Sequence, residues 1–323
     1  MAKVTGHGVS HGKLKIAILD DYQNVAFEMA DWTPVAERAD ITVFNDHIAD
    51  PDDLVGRLAG FDVIFVMRER TPLPRSIIDR LPRLKMIAST GPFNASIDMS
   101  AVADHGIHVA PTGGTIASTV ELTWALILAA SRNLVVENTA VRTGGWQTSV
   151  GRELDGCVLG VLGVGRIGKR VARIGSAFGM DVIAWSQNLT QDAAAQAGVR
   201  YASKEELFRQ ADVLTIHLKL SERSKNLIGH AELAAMKPTA LLVNTSRGPI
   251  IDESALLDAL RTRSIGGAAL DVFDEEPLPI GHPFRSVDNV LAVPHIGYVA
   301  DRPYRIFFRD AVKAISDWLD VNQ

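Results

Sequence analysis

Three side chains in this sequence could together move a proton and hold an anion. Arg247, Glu276 and His295 each follow an apolar, β-rich run where that run ends. An imidazole with an ordinary pKa of about 6.5 can donate or accept a proton, and a neighbouring carboxylate can fix its tautomer. A guanidinium is a permanent planar cation that suits a carboxylate and an adjacent oxygen. These groups predict oxidation of a secondary alcohol, or reduction of its ketone, by hydride transfer.

Each of these residues also has an ordinary structural interpretation. A single arginine is commonly a solvated surface charge, Glu276 precedes Pro277 and could occupy a turn, and Pro294-His295 could simply mark the end of a strand. Their shared position favours function, because the carboxyl ends of parallel strands meet at one crevice of the sheet.

A glycine loop stands beside this set. Residues 163–168 read Gly-Val-Gly-Arg-Ile-Gly; they follow an apolar run and open a predicted helix over residues 166–178. In such a loop the first glycine permits a tight turn, the second admits a pyrophosphate and the third lets the helix approach its strand. The pattern predicts a dinucleotide site that includes Gly163, Gly165, Arg166, Ile167 and Gly168.

The end of the next strand bears on the choice between NAD and NADP. An acidic side chain there usually accepts hydrogen bonds from the ribose hydroxyls. Here the sequence reads Trp185-Ser186-Gln187-Asn188, with neither a carboxylate to repel a 2′-phosphate nor a basic residue to bind one. We expect Ser186 and Gln187 to contact the ribose, and the cofactor to be NAD or NADP.

Two α/β units, each built on a parallel sheet, should position these residues, because apolar β-rich runs alternate twice with helical patterns. The first unit has predicted strands at residues 15–19, 41–44, 63–67, 85–88 and 108–110, and helices at 51–58 and 74–80. The second has predicted strands at residues 158–162, 182–185, 213–217, 240–244, 267–272 and 290–293.

The connections predict that one domain is inserted in the other. Residues 119–133 form an apolar helix that should be buried between the units, and residues 302–321 have helical spacing and should pack back on the first unit. We expect a substrate (catalytic) domain at 14–115 and 299–323, a dinucleotide-binding Rossmann domain at 116–298, and a mobile leader at 1–13. The cleft between the domains would bind the substrate.

Composition narrows the class of protein further. The 323 residues carry a net charge of −5 with mixed signs, which argues against nucleic-acid and membrane-surface partners. No apolar run approaches the roughly 20 residues of a membrane helix. The single cysteine, Cys157, excludes an intrachain disulfide, and the absence of clustered ligands argues against a metal. We expect a cytoplasmic enzyme.

The motifs resemble those of the D-isomer-specific 2-hydroxyacid dehydrogenase family over nearly the whole chain. The resemblance rests on residues 156–185 with the glycine loop, Val-Asn-Thr-Ser-Arg-Gly at 243–248, Ala-Leu-Asp-Val-Phe at 269–273, and Pro-His-Ile-Gly at 294–297. It implies that Arg247, Glu276 and His295 are catalytic and that Asp271 holds the nicotinamide carboxamide. It also implies that Thr245 and Ser246 line the nicotinamide, and that the protein is a homodimer built on the cofactor domain.

The first domain departs from the family pattern. The family usually has a Gly-x-Gly loop whose amides hold the substrate carboxylate, whereas this chain reads Thr90-Gly91-Pro92-Phe93-Asn94, and Pro92 has no N–H to donate. We therefore expect Thr90, Gly91 and Arg68 to contact the substrate; Arg68 could instead form an ion pair with Glu69. Tyr298 could line the acyl side of the pocket.

The sequence leaves more than one activity open. The first hypothesis is a reductase of small 2-oxo acids such as glyoxylate or hydroxypyruvate. Corepressor relatives with this fold and triad suggest an NAD(H)-sensing binding protein instead. Formate and phosphite dehydrogenases are a third possibility, although the formate enzymes generally carry Gln where this chain has Glu276.

Overall fold

The computed structural model describes residues 13–322, which divide into two compact units. One contains the described residues up to Thr115 together with those from Asp301 onward, and the other spans Ile116–Ala300. The sequence predicts domain boundaries close to these, at residues 116 and 298. Nearly all of the predicted leader at residues 1–13 lies outside the described residues.

The first unit is built on a five-stranded parallel sheet in the order β2-β1-β3-β4-β5. Strands β3 and β4 are buried at every position, because helices cover parallel sheets on both faces. The strands are β1 Leu14–Ile18, β2 Ala39–Val43, β3 Val63–Val66, β4 Met86–Ser89 and β5 His108–Pro111. The helices are α1 Ala26–Met29, α2 Thr33–Ala36, α3 Pro51–Leu58, α4 Arg75–Ile78, α5 Met99–Asp104 and the C-terminal α13 Asp301–Asn322.

Helix α13 completes the core of the first unit although it lies at the far end of the chain. Its Phe308 is fully buried and stacks on Phe65 of β3, with ring centroids 5.1 Å apart. Gly113, near the exit from this unit, donates its N–H to Asp310 of the same helix at 2.9 Å. The helix predicted at residues 302–321 therefore packs where the sequence placed it.

The second unit is built on a seven-stranded parallel sheet in the order β12-β11-β10-β9-β6-β7-β8. The strands are β6 Val158–Leu162, β7 Asp181–Trp185, β8 Arg200–Tyr201, β9 Val213–Ile216, β10 Leu241–Asn244, β11 Gly267–Leu270 and β12 Val290–Ala292. The α-helices are α6 Ala117–Ser131, α7 Leu134–Arg142, α8 Arg166–Ala177, α9 Gln191–Gln196, α10 Lys204–Gln210, α11 His230–Ala235 and α12 Glu253–Arg261. Short 3₁₀ turns occupy Gly248–Ile250 and Pro283–Arg285.

The strand order creates a crossover that matters for binding. Strands β6, β7 and β8 progress toward one edge of the sheet, and β9 then returns to the other side of β6. Ligands of open parallel sheets bind at the carboxyl ends of the strands beside such a crossover. The predicted fold class, two doubly wound α/β domains with one inserted in the other, is confirmed.

Helix α6 is apolar over most of its length and contributes Val120, Trp124 and Ile127 to the core of the second unit. Among the described residues, no single helix is long and apolar enough to cross a bilayer. Helices α6 and α7 meet the length and composition criteria only when taken together, and they are bent by 63° at their junction.

Candidate functional site

The glycine loop joins β6 to α8 with the geometry that a diphosphate needs. Gly163 has a φ of +103°, and a Cβ there would lie 2.8 Å from the carbonyl oxygen of His217. A Cβ at Gly168 would lie 2.0 Å from the Gly163 carbonyl oxygen, so only glycine permits this contact between helix and loop. By contrast, no atom lies within 4 Å of the Cβ position at Gly165, where the helix begins. The loop therefore fits a pyrophosphate at an open helix N-terminus.

The first turn of α8 supplies the donors for such an anion. No side chain caps this helix, so the N–H groups of Arg166, Ile167 and Gly168 are not taken by an N-cap side chain. The first N–H groups of a helix lack partners within the helix and carry partial positive charge, which favours an anion.

Ser186 directly follows β7 beside the glycine loop. Gly163 N donates to Trp185 O at 2.9 Å, which fixes the end of β7 next to the loop. Gln187 Nε2 donates to Arg223 O at 2.8 Å, so the turn after β7 is tied to the segment after β9. Ser186 is half-buried. This edge presents a hydroxyl and an amide, with no carboxylate at the position expected for an NAD enzyme.

His295 and Glu276 form a hydrogen-bonded pair. His295 Nδ1 lies 2.5 Å from Glu276 Oε2, and the side chains are 20% and 30% exposed. The other carboxylate oxygen, Glu276 Oε1, accepts the N–H of Phe273 at 2.9 Å. A proton on Nδ1 of His295 leaves Nε2 as the nitrogen that can exchange a proton with a substrate. Tyr298 packs edge-on against the imidazole, with ring centroids 5.4 Å apart.

Arg247 follows the neighbouring strand, β10. Its guanidinium Nη1 donates to Ser246 O at 2.7 Å, and its own carbonyl accepts Asn244 Nδ2 at 2.9 Å. A Cβ on the next residue, Gly248, would lie 2.1 Å from the carbonyl carbon of Phe273. Because Phe273 N holds Glu276, this backbone contact joins the segment that carries Arg247 to the anchor of the carboxylate.

Asp271 lies at the end of β11, buried beneath the histidine loop. Its carboxylate accepts the N–H groups of Ile296 at 2.6 Å and Gly297 at 2.9 Å, and it is 1% exposed. Burial raises the pKa of Asp271 to about 6, although the nearby His295 and the two N–H groups oppose the shift. Asp271 thus holds the loop that carries His295 and adds a second carboxyl group to its surroundings.

Thr245 and Ser246 occupy the turn between β10 and Arg247. Thr245 is 8% exposed, and its hydroxyl pairs with that of Thr123 on α6 at 2.9 Å. Ser246 Oγ donates to Leu218 O in the segment after β9. The turn is therefore fixed from both sides. This limits where a nicotinamide ring stacked against it could lie.

The candidates in the first unit form a separate group. Arg68, just after β3, donates its N–H to Thr90 Oγ1 at 2.7 Å and Nη1 to Thr90 O at 3.0 Å. A Cβ at Gly91 would lie 1.8 Å from Nη1 of Arg68, so the guanidinium covers this glycine. Glu69 Oε1 lies 3.7 Å from Arg68 Nη2. The structure thus brings Arg68, Thr90 and Gly91 together, with the ion pair to Glu69 present as well.

Two residues to which the sequence motifs assign no role also shape the site. Asn244 is fully buried; it accepts Ser246 N at 3.0 Å and organises the turn to Arg247. His217, beside the glycine loop, pairs with Thr215 Oγ1 at 3.0 Å, and burial lowers its pKa to about 3. Its imidazole is therefore neutral near neutral pH. The local sequence signal for Asn244 is that an asparagine directly precedes Thr-Ser-Arg-Gly, a composition typical of a turn.

Residues 124–297 match the D-isomer specific 2-hydroxyacid dehydrogenase, NAD binding domain. The chain is 44% identical to a glyoxylate reductase of Aeropyrum pernix over 229 residues, 68% of either protein. It is 38% identical to a D-3-phosphoglycerate dehydrogenase of Methanocaldococcus jannaschii over 76% of this chain and 47% of that protein, so it spans about half of that relative.

A solved structure shares the architecture. The phosphoglycerate oxidoreductase from Vibrio cholerae has a TM-score of 0.90 and 37% sequence identity to this chain, covering 95% of this chain and 99% of that one.

The raised pKa of Asp271 predicts a pH dependence of stability. Since its pKa of about 6 in the folded protein exceeds the ordinary 3.8, this carboxyl stabilises the fold while protonated, and the contribution is lost as pH rises through about 6. An amide cannot ionise. From about pH 4.5 to 7.5, the difference in free energy of unfolding between the two proteins should therefore shift in favour of the Asp271→Asn variant, by about 2 kcal/mol.

Urea unfolding of both proteins at the two pH values measures this shift. Asp258→Asn, an exposed aspartate on α12, is the matched control and should show a difference that does not vary with pH. A constant difference for Asp271→Asn would contradict the assignment.

Proposed function

The chain belongs to the D-isomer specific 2-hydroxyacid dehydrogenase family, and from that premise we propose that it transfers a hydride between a nicotinamide dinucleotide and C2 of a small 2-hydroxy or 2-oxo acid. The observation that carries this proposal is the pair formed by His295 Nδ1 and Glu276 Oε2 at 2.5 Å. A carboxylate in contact with one imidazole nitrogen is the arrangement that prepares the other nitrogen for proton transfer.

In the direction of reduction, His295 is the acid. When bound, the reduced nicotinamide supplies the hydride that adds to the carbonyl carbon. The carbonyl oxygen becomes the hydroxyl by taking the proton from Nε2 of His295, whose imidazolium is stabilised by Glu276 until that proton leaves. Oxidation runs these transfers in reverse, with neutral His295 as the base. Arg247 supplies a fixed positive charge to the substrate carboxylate and the adjacent oxygen.

The cofactor is held, in this proposal, by the glycine loop and the turn after β10. The first-turn N–H groups of α8 bind the pyrophosphate, and Thr245, Ser246 and Asp271 contact the nicotinamide side. The open space at Gly165 and the absence of a side-chain cap support the first of these contacts. The NAD-binding family supports an NAD(H) cofactor.

We further propose that NADPH is accepted alongside NADH. The turn after β7 offers Ser186 and Gln187, neither of which repels a 2′-phosphate. Arg223 is exposed, and its carbonyl accepts a hydrogen bond from Gln187 Nε2. A cationic residue therefore lies beside the turn after β7.

For the substrate, we propose that Arg68 and the backbone around Thr90 and Gly91 bind the carboxylate, with Tyr298 beside the acyl group. The support is that the guanidinium covers Gly91 where Pro92 removes a backbone donor. Glyoxylate and hydroxypyruvate are the first substrates to try, and glyoxylate reductase is the name of a relative that is 44% identical.

We also propose a homodimer formed through the cofactor domain, in the cytoplasm. Helix α7 buries none of its residues, and the segment after it is equally open. Together they form an apolar surface, here called the α7 surface, whose members are 53% to 98% exposed: Leu134, Val135, Val136, Val141, Trp146 and Val150. Exposed apolar side chains concentrated in one segment in this way are typical of a protein interface.

The acid–base assignment predicts that His295→Ala lowers kcat by about 10²- to 10⁴-fold while the Kd for NADH stays within about twofold, because the imidazole acts on the substrate proton. Steady-state kinetics with glyoxylate and hydroxypyruvate, together with NADH fluorescence titration, measure both quantities. His230→Asn, an exposed histidine of the same unit, should change neither. Equal losses in turnover and affinity would refute the assignment, and a wild type that binds NADH without turnover would favour the sensor alternative.

The cofactor proposal predicts that Ser186→Asp raises the Kd for NADPH at least about tenfold and leaves that for NADH unchanged or lower, because a carboxylate repels the 2′-phosphate and accepts the ribose hydroxyl. Fluorescence titration with each cofactor measures this without turnover. Asn188→Asp, two residues further on, is the control. An equal effect on both cofactors would show that Ser186 does not contact this part of the ribose.

The dimer proposal predicts a solution mass near twice the 34.9 kDa of the chain, measured by light scattering after size-exclusion chromatography. The double variant Trp146→Asp, Val150→Asp should be monomeric, because charges on the α7 surface would have to be buried without partners. Ile280→Asp, at a residue 94% exposed in another loop of this unit, should remain dimeric. A monomeric wild type, or a double variant that stays dimeric, would exclude this interface.

A further inference from the structure

A buried polar cluster lies in the first unit at the carboxyl ends of β1 and β3. Its centre is Asp20, which is 1% exposed. Thr71 Oγ1 donates to Asp20 Oδ2 at 2.6 Å, and His47 Nδ1 lies 3.0 Å from Asp20 Oδ1. The Tyr22 hydroxyl reaches the same Oδ1 at 3.5 Å. One carboxylate thus binds groups from three separate parts of the chain.

The backbone of Asp20 extends the cluster. Its carbonyl accepts Arg70 Nη1 at 2.6 Å, and the Arg70 guanidinium lies 4.6 Å from the centre of the Tyr22 ring. Tyr304 of α13 accepts from Arg70 Nη2 at 3.4 Å. Arg70 and Thr71 are therefore both attached to Asp20, one through its carbonyl and the other through its carboxylate.

Arg70 and Thr71 end the turn that Arg68 begins. Arg70 N donates to Met67 O at 3.3 Å, which closes the turn. The start of the turn is fixed independently, because Thr90 Oγ1 accepts Arg68 N and Asn94 Nδ2 donates to Arg68 O at 2.7 Å. The turn is thus clamped at one end by the segment after β4 and at the other by Asp20.

Two residues of this arrangement adopt an unfavourable backbone conformation. Asp20 has a φ of +56° and Arg68 a φ of +54°. The left-handed region is unfavourable for most residues other than glycine, and it persists only where surrounding contacts enforce it. Here the enforcing contacts are the hydrogen bonds to Asp20 and Thr90.

We propose that Asp20 is a positioning residue that fixes the turn over residues 67–71, so that the Arg68 guanidinium lies over Gly91 in the orientation that receives the substrate carboxylate. This inference rests on the proposed function, in which Arg68 binds that carboxylate. A bidentate contact to a carboxylate requires the planar guanidinium to be correctly oriented, so a turn that can move would weaken substrate binding more than the hydride step.

Two variants test the role of Asp20, one by removing a hydrogen-bond donor to it and the other by removing its carboxylate. Thr71→Val keeps the shape of a 2% exposed side chain and removes only its hydrogen bond to Asp20. Asp20→Ala removes the carboxylate. Each should raise the KM for glyoxylate about tenfold or more with kcat changed less than about threefold, since a hydrogen bond to a charged group contributes about that much. The Kd for NADH should not change. Asp20→Asn, which keeps an acceptor and tolerates positive φ, should recover part of the loss.

Asp21→Asn is the matched control. Asp21 is also 1% exposed, but its carboxylate accepts Val25 N and Ala26 N at the start of α1 rather than any group of the turn. Asp21→Asn should lower the melting temperature, as the Asp20 variants should, and leave the KM for glyoxylate unchanged. Hydrogen–deuterium exchange at residues 68–71 should accelerate in Asp20→Ala and Thr71→Val, and remain as in the wild type in Asp21→Asn.

The outcomes separate this inference from the proposed function. If Arg68→Gln raises the KM for glyoxylate and neither Asp20→Ala nor Thr71→Val does, the positioning role is overturned and the proposed function stands. If Asp21→Asn raises KM as much as they do, the effect is general loss of stability and the inference is again overturned. Should Asp20→Ala not fold, Thr71→Val alone decides. A wild type that reduces none of the 2-oxo acids overturns the proposed function, and this inference with it.

Discussion

The hydrogen bond between His295 and Glu276 constrains the arrangement of the candidate site in the second unit. A carboxylate that must lie 2.5 Å from an imidazole needs its own anchor, and Phe273 N provides it. The backbone of Phe273 also packs against the chain after β10, since a Cβ at Gly248 would lie 2.1 Å from the Phe273 carbonyl carbon. This approach requires glycine at position 248, so the segment that anchors Glu276 lies directly against the connection that carries Arg247.

Two carboxyl groups, Asp271 and Glu276, determine the electrostatic surroundings of His295. Glu276 Oε2 lies 2.5 Å from His295 Nδ1, and Asp271 accepts the N–H groups of the two residues that follow His295. Burial dominates at Asp271, whose pKa rises to about 6, and two backbone N–H groups compensate for its charge when it ionises.

The sequence predicts what is local and repetitive, and misses what depends on distant contacts. Each predicted strand overlaps an observed one, because buried parallel strands are continuous apolar runs, and the glycine loop was readable from its spacing. Strand β8 has two residues, too few to form a pattern, and was not predicted. The Asp20 cluster was also missed: Asp20, His47 and Thr71 have no fixed spacing, and only the strand order of the first unit brings them together. The roles of the candidate site residues in both units remain predictions.

Candidate residues in both units share a strained backbone conformation that no sequence motif reveals. Among the described residues, eight other than glycine have positive φ, and Asp20, Arg68 and His295 are three of them. Each follows the carboxyl end of a parallel strand, and each is held by side-chain hydrogen bonds to a separate segment. Other interactions must offset the free-energy cost of a strained backbone conformation. Such a conformation is therefore kept where it orients a side chain in a direction that an extended strand does not allow. At the end of a strand, a left-handed residue turns the chain sharply while the strand itself stays buried. The same backbone conformation thus occurs at a histidine in one unit and at an arginine in the other, although their sequences have no motif in common.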